Sequence, residues 1–154
     1  MKVREFHSEL WLPKPLEALF SFFADPGNLE VITPDWLHFK ILTRMPMEIR
    51  AGSEIDYRLL WHGIPFRWKT RITAWHPPYL FVDEQIRGPY SRWIHTHTFE
   101  EKDEGTTIHD AVNYATPFDT MLHRFVVRPD IEKIFAFRAS TLKCRFGALE
   151  ENPQ

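Results

Sequence analysis

Ser91-Arg-Trp-Ile-His-Thr-His-Thr-Phe-Glu100 decides how this chain folds. Its residues alternate strictly in character. Trp93, His95, His97 and Phe99 fall on one face of an extended strand, and Arg92, Ile94, Thr96, Thr98 and Glu100 on the other. A strand turns successive side chains to opposite faces, so the pattern predicts a half-buried strand. The polar face suits water. The other face sets two imidazoles between two aromatic rings, which is more polar than a simple core needs.

Similar segments flank it. Upstream, Tyr79 to Arg87 is a strand, and Gly88-Pro-Tyr90 turns it into the central one. Downstream, Asp103-Glu-Gly105 is a turn, and Thr106 to Ala115 places Ile108, Asp110, Val112 and Tyr114 on one face. Further upstream, Ser53 to Trp61 aligns Ile55, Tyr57, Leu59 and Trp61. His62-Gly-Ile-Pro65 reads as a turn into Phe66 to Trp75, whose Phe66, Trp68, Thr70 and Ile72 look inward while Arg67, Lys69 and Arg71 look outward. His38 to Thr43 completes six consecutive strands with short connections, the pattern of an antiparallel meander.

The ends of the chain are helical apart from one strand, Val3 to Trp11. Pro13 and Pro15 lead into Leu16, Leu19, Phe20 and Phe23 at helical spacing, and Asn28 is placed to cap a second short helix that Pro34 closes. The segment 117–128 reads as irregular, either a lid or a packed linker. From Pro129 a long helix carries Ile131, Phe135, Ala139, Leu142, Phe146 and Leu149 on one stripe.

Composition narrows the classes. The 154 residues suit one domain, 1–154; 44% are hydrophobic and 15% aromatic, including 13 Phe and 6 Trp. The net charge is -2 and no Lys/Arg block occurs, which argues against nucleic acid as a partner. The single Cys144 excludes an internal disulfide and suits a reducing compartment. The apolar run 18–24 is too short to cross a membrane, and the first residues lack a signal core, so a cytoplasmic location is expected. A protein partner is conceivable but nothing indicates one.

The order strand, two short helices, six strands, long helix defines an α+β class: a curved antiparallel sheet wrapped around the C-terminal helix. Together with Pro13 and Pro15 before a Leu/Phe helix, Ala51-Gly-Ser53 and Gly105-Thr-Thr107 opening strands, and Trp75-His-Pro-Pro78 before another, it resembles the START-like, helix-grip (SRPBCC) superfamily, which includes polyketide cyclase/dehydrase-like proteins. The resemblance spans Val3 to Leu149. It implies a largely apolar cavity between sheet and long helix for a lipid, sterol or polyketide-like ligand. It carries no catalytic motif onto this chain.

The hairpin turns suggest a register in which His95 lies opposite Asp83, His97 opposite Phe81 and near Asp110, and Trp93 opposite Gln85. Two carboxylate–imidazole pairs follow, Asp83 with His95 and Asp110 with His97. They can be a structural pairing of buried polar groups, a recognition or acid–base site of cyclase/dehydrase type, or metal donors. No metal or other cofactor is expected, because His95 and His97 are only two ligands and the carboxylates suit a supporting role behind them. The expected cavity wall is Tyr57, Leu59, Trp68, Phe81, Gln85 and Trp93, with His95, His97, Asp110, Tyr114, Phe135 and Leu142. A hydrophobic small molecule is the expected partner. An enzyme, or a protein-docking module without a ligand, is the alternative.

Overall fold

A computed structural model describes residues 1–118 and 120–147. Strand β1 (Arg4–Leu12) and helix α1 (Leu16–Ala24) come first, then two 3-10 turns, Pro26–Leu29 and Asp35–Leu37. Six strands follow: β2 (Lys40–Ile41), β3 (Glu54–Trp61), β4 (Ile64–His76), β5 (Leu80–Arg87), β6 (Arg92–Lys102) and β7 (Gly105–Ala115). A three-residue helix α2 (Thr120–Leu122) and a π-helical turn (His123–Val127) run into the long helix α3 (Arg128–Phe146). The seven strands form one antiparallel sheet in the order β1-β7-β6-β5-β4-β3-β2.

Two tight turns set the register. His62 and Gly63 both have positive φ (49° and 80°), as do Asp103 and Glu104 (50° and 60°). Such two-residue turns match the twist of the flanking strands. The structure therefore shortens both expected turns. Ile64 and Pro65 already pair in β4, and Gly105 already pairs in β7. Gly105 is needed for space instead: a Cβ there would lie 2.4 Å from the Leu12 carbonyl oxygen and 2.6 Å from the Trp11 ring.

Three sequence expectations are corrected. Asn28 does not cap a helix; the carboxylate of Asp25 accepts from the Gly27 amide (2.9 Å) to cap the first 3-10 turn, and Asn28 donates to the Phe22 carbonyl (2.8 Å) behind α1. The expected strand 38–43 shrinks to Lys40–Ile41. The segment 117–128, read as irregular, is helical from Thr120 onward. Its apolar points Met121, Leu122, Phe125 and Val126 recur at i, i+1, i+4 and i+5, which is helical spacing, but they span under two turns and Met121, Leu122 and Phe125 are exposed, so the stretch carries no buried stripe.

The expected stripe on α3 faces the sheet. Ile131, Phe135 and Leu142 are buried, and Ala139 and Phe146 are half-buried; Leu149 lies outside the described residues. Phe135 packs on Phe6 at 4.8 Å between ring centroids. Burying one such ring stabilises the fold by about 2–3 kcal/mol. The core forms three groups: α1 with Phe81, Phe99, Ile108 and Leu142; Phe6, Val112 and Tyr114 with the start of α3; and Ile49, Ile55 and Ile72. On the outer face Arg71 pairs with Glu54 (2.7 Å) and Lys69 with Asp56 (3.8 Å), so β3 balances two cations of the basic stripe of β4, while Arg67 lies opposite Arg58.

Candidate functional site

A cavity of about 170 Å³ lies between the sheet and α3, walled by residues from all three core groups. Alternation along β3 and β4 turns Ile55, Tyr57, Leu59 and Trp61, then Trp68, Thr70 and Ile72, toward it. Strands β5 and β6 add Phe81, Asp83, Trp93, His95 and His97. Helical spacing brings Ile131, Ile134, Phe135 and Arg138 down from α3. The rings interlock: Trp68 lies 6.0 Å from Tyr57 and 5.4 Å from Trp93. A second space of about 300 Å³ lies between β1, β7 and α3, and touches Ser8, Asp110, Phe135 and Arg138.

The histidine-bearing strand gives the first space its polar wall, and Phe135 and Arg138 border both spaces. The register is the expected one, with Asp83 opposite His95, Phe81 opposite His97, and His97 opposite Asp110. The bonding is nevertheless crossed. His97 Nε2 sits 2.6 Å from Asp83 Oδ2, and His95 Nε2 sits 2.7 Å from Asp110 Oδ1. The directly opposite pairs are longer, 3.8 Å from His95 Nδ1 to Asp83 and 3.5 Å from His97 Nδ1 to Asp110. The expected pairs of Asp83 with His95 and Asp110 with His97 are therefore exchanged. An imidazole Nε2 reaches beyond its opposite neighbour to the diagonal residue, which long side chains can touch across adjacent strands. The two rings stack at 3.6 Å, and His97 stacks on Phe81 at 3.9 Å.

Burial sets the charges. Desolvation is the largest influence on His97 and, with the neighbouring His95 charge, pushes its pKa down to about 4, so its ring is neutral near pH 7. Desolvation alone would raise both carboxylates. The His97 hydrogen bond to Asp83 and the His95 hydrogen bond to Asp110, aided by the imidazole charges and Arg138, hold both below the usual carboxylate range. Tyr57 is pushed up by burial and then by the Asp83 charge, so it stays a phenol.

Several expected wall residues sit elsewhere. Gln85 caps the β5–β6 turn, donating to the Tyr90 carbonyl (2.8 Å) and accepting from the Tyr90 amide (3.1 Å). The β5–β6 ladder ends with Glu84 opposite Ile94, so the expected Trp93–Gln85 opposition does not continue it. Tyr114 is buried behind the wall, with its hydroxyl 2.8 Å from His123 Nε2. Leu142 and Asp110 border the second space. Tyr57, Leu59, Trp68, Phe81, Trp93, His95, His97 and Phe135 all border the first, as does Asp83.

Two charged cavity residues escaped the sequence reading. Arg138 lies seven residues after Ile131 on the apolar stripe, and a cation in that position was the available signal. Asp130 stands in the first turn of α3, where an acidic residue suits the positive end of a helix. It is buried, and its Oδ2 accepts from Trp61 Nε1 (2.6 Å) while His62 Nε2 lies at 2.6 Å, tying the β3–β4 turn to α3.

Among the described residues, Asp83, His95 and His97 form the one set that could hold a metal ion, with donor atoms within 4.8 Å of one another. The 2.6 Å contact between His97 Nε2 and Asp83 has hydrogen-bond length, so a metal would have to displace that proton. Among the same residues, three buried polar atoms have no partner within the protein: Trp68 Nε1, His97 Nδ1 and Arg138 Nε. No described helix is long and apolar enough to cross a membrane.

The family model described as polyketide cyclase / dehydrase and lipid transport matches residues 12–137. No curated protein matches the chain. Among solved structures, the chain is similar to protein CV1439 from Chromobacterium violaceum (TM-score 0.73, 15% identity, 95% of this chain and 99% of that one). It is also similar to protein Ms6760 from Mycobacterium smegmatis (0.67, 17%, 94% and 96%) and to ginseng major latex-like protein 151 from Panax ginseng (0.68, 10%, 94% and 97%). At these identities the likeness establishes the fold, a helix-grip sheet closed by a long C-terminal helix, as expected from the element order.

Proposed function

The chain belongs to the polyketide cyclase/dehydrase and lipid transport family, and we propose that it binds a small hydrophobic or amphipathic molecule in the cavity between sheet and α3. The observation that carries this reading is the cavity itself: about 170 Å³, with walls that are mostly aromatic and aliphatic and one polar side. Volume also limits the occupant. An engineered cavity of about 150 Å³ accepts benzene, so this one suits a single ring or a short chain. A sterol would require the walls to part.

Native mass spectrometry of the purified protein, followed by organic extraction, tests this. A reproducible small molecule at one per chain is the expected result. A bare chain, with no thermal stabilisation by single-ring aromatics or short-chain amphiphiles, would overturn it.

A second reading has one specific observation behind it. Asp83 orients the neutral His97 ring through Nε2, which leaves Nδ1 as an unpartnered base. Proton abstraction from a bound substrate is chemistry that such an atom can perform. Under this reading His97→Gln lowers turnover while ligand affinity holds, whereas simple binding involves no turnover to lose.

A further inference from the structure

Asp83, His95, His97 and Asp110 fall into two tiers. Asp83 Oδ2 lies 2.6 Å from His97 Nε2 and 3.8 Å from His95 Nδ1. Donor atoms of these three residues lie within 4.8 Å of one another. The other ring nitrogens both lie near a single different oxygen: Asp110 Oδ1 is 2.7 Å from His95 Nε2 and 3.5 Å from His97 Nδ1. Sequence spacing alone places both aspartates behind the histidines. The crossed bonding separates them, with Asp83 among the inner donors and Asp110 behind both rings.

This tiering is what a bound metal ion requires. A metal-ligating histidine turns one lone pair to the ion and donates its other N–H to a carboxylate, which fixes the tautomer and the ring orientation. His95 already has that form. Its Nε2 sits at hydrogen-bond distance from Asp110, and its Nδ1 hydrogen-bonds to no described residue. His97 needs one change. The 2.6 Å contact to Asp83 places its hydrogen on Nε2. There the metal takes the place of that hydrogen, and the neutral ring carries one on Nδ1 instead, facing Asp110. Without a metal that Nδ1 is buried and unpartnered. One ion therefore accounts for the inner nitrogen of His95 and the outer nitrogen of His97 together.

Distance and charge agree with this. Ligand atoms about 2.1 Å from a tetrahedral ion lie about 3.4 Å apart. The measured separations of 2.6 and 3.8 Å fall on either side of that value. The imidazole planes are tilted by 27° and must turn further for both lone pairs to converge. Two carboxylates supply the negative charge that a buried divalent cation needs. Asp83, His95 and His97 all border the cavity, and three protein ligands leave a further position for water.

We infer that Asp83, His95 and His97 bind one divalent transition-metal ion such as zinc, with Asp110 positioning both imidazoles. Imidazole donors select such ions over magnesium and calcium, which take oxygen ligands. The site is independent of the hydrophobic-ligand reading: zinc can bind where no apolar molecule does, and the reverse.

The test titrates the metal-free chain with zinc, and separately with magnesium, by calorimetry, and follows the histidine rings by long-range proton–nitrogen NMR. The expected result is one zinc per chain, no magnesium binding, and a His97 ring hydrogen that moves from Nε2 to Nδ1 on loading. Asp110→Asn should weaken zinc by about 10–100-fold, and Asp83→Asn by more, because it removes a ligand rather than the group behind one. His109→Ala, on the opposite face of the sheet, should leave the affinity unchanged. The NMR measurement uses the native chain, so it decides the question even where a variant fails to fold. Absence of zinc binding would overturn the inference. So would zinc that shifts only the exposed His7, His62 and His109, or a folded Asp83→Asn protein that binds zinc as tightly as the native one.

Discussion

Acidification should destabilise this protein through His97, and the size of the effect can be worked out. The ring titrates at about 4 when folded, against 6.5 for the ordinary side chain, because burial disfavours its charge. Between those values the unfolded chain binds a proton that the folded chain does not, so stability rises with pH across that window. The contribution is complete above about pH 6.5 and is lost as pH falls toward 4. Each pKa unit corresponds to about 1.4 kcal/mol, so between pH 7 and pH 5 the loss is about 2 kcal/mol from this one residue. Asp83 and Asp110, both lowered, add their own loss below the ordinary carboxylate value of 3.8, outside that interval. The assay is urea unfolding followed by tryptophan fluorescence at pH 7, 6 and 5, on the native protein and on His97→Gln. A glutamine amide can still donate to Asp83 but does not titrate. Histidines that do not touch His97 act equally in both proteins and cancel. The native protein should lose about 2 kcal/mol more than the variant between pH 7 and pH 5. Equal losses would refute the argument. A native protein that gains stability on acidification would show instead that His97 is an imidazolium held between Asp83 and Asp110.

Asp130→Ala strands the Trp61 indole N–H and should cost about 1–3 kcal/mol in urea unfolding, whereas His62→Ala should cost under about 1 kcal/mol, because the His62 side chain is 57% exposed. Phe135→Ala removes the ring that packs on Phe6 and His95 and should lower stability by about 3–5 kcal/mol, read from the same unfolding curves. Gly105→Ala forces a methyl against the Leu12 carbonyl and the Trp11 ring and should cost about 1–3 kcal/mol by thermal melting.

The architecture could be read from local chemistry. Period-two alternation in 53–61, 66–75 and 91–100 named the strands and their inner faces, because a side chain's face follows from its position in the pleat. Opposed partners in the central hairpins followed from the two turns, since one residue of slip would have exposed every buried side chain. The long helix followed from its stripe, and the aromatic lining of the cavity from the inward faces.

What the sequence could not supply was anything that depends on how far a side chain reaches or on which elements meet. Alternation placed two aspartates and two histidines on one face, but the crossed bonding arose from the length of the imidazole, which carries Nε2 past its opposite neighbour. Tyr114 shared the face of Asp110, yet packing of the 123–127 turn over that end of β7 put it behind the wall. Arg138 and Asp130 became cavity residues only when α3 crossed the sheet, since helix periodicity fixes which residues share a stripe and not what that stripe lies against. Local sequence thus determined elements, faces and register, whose causes lie within a few residues. The site's bonding, charge and volume depended on contacts between distant segments, and only the tertiary structure decided those.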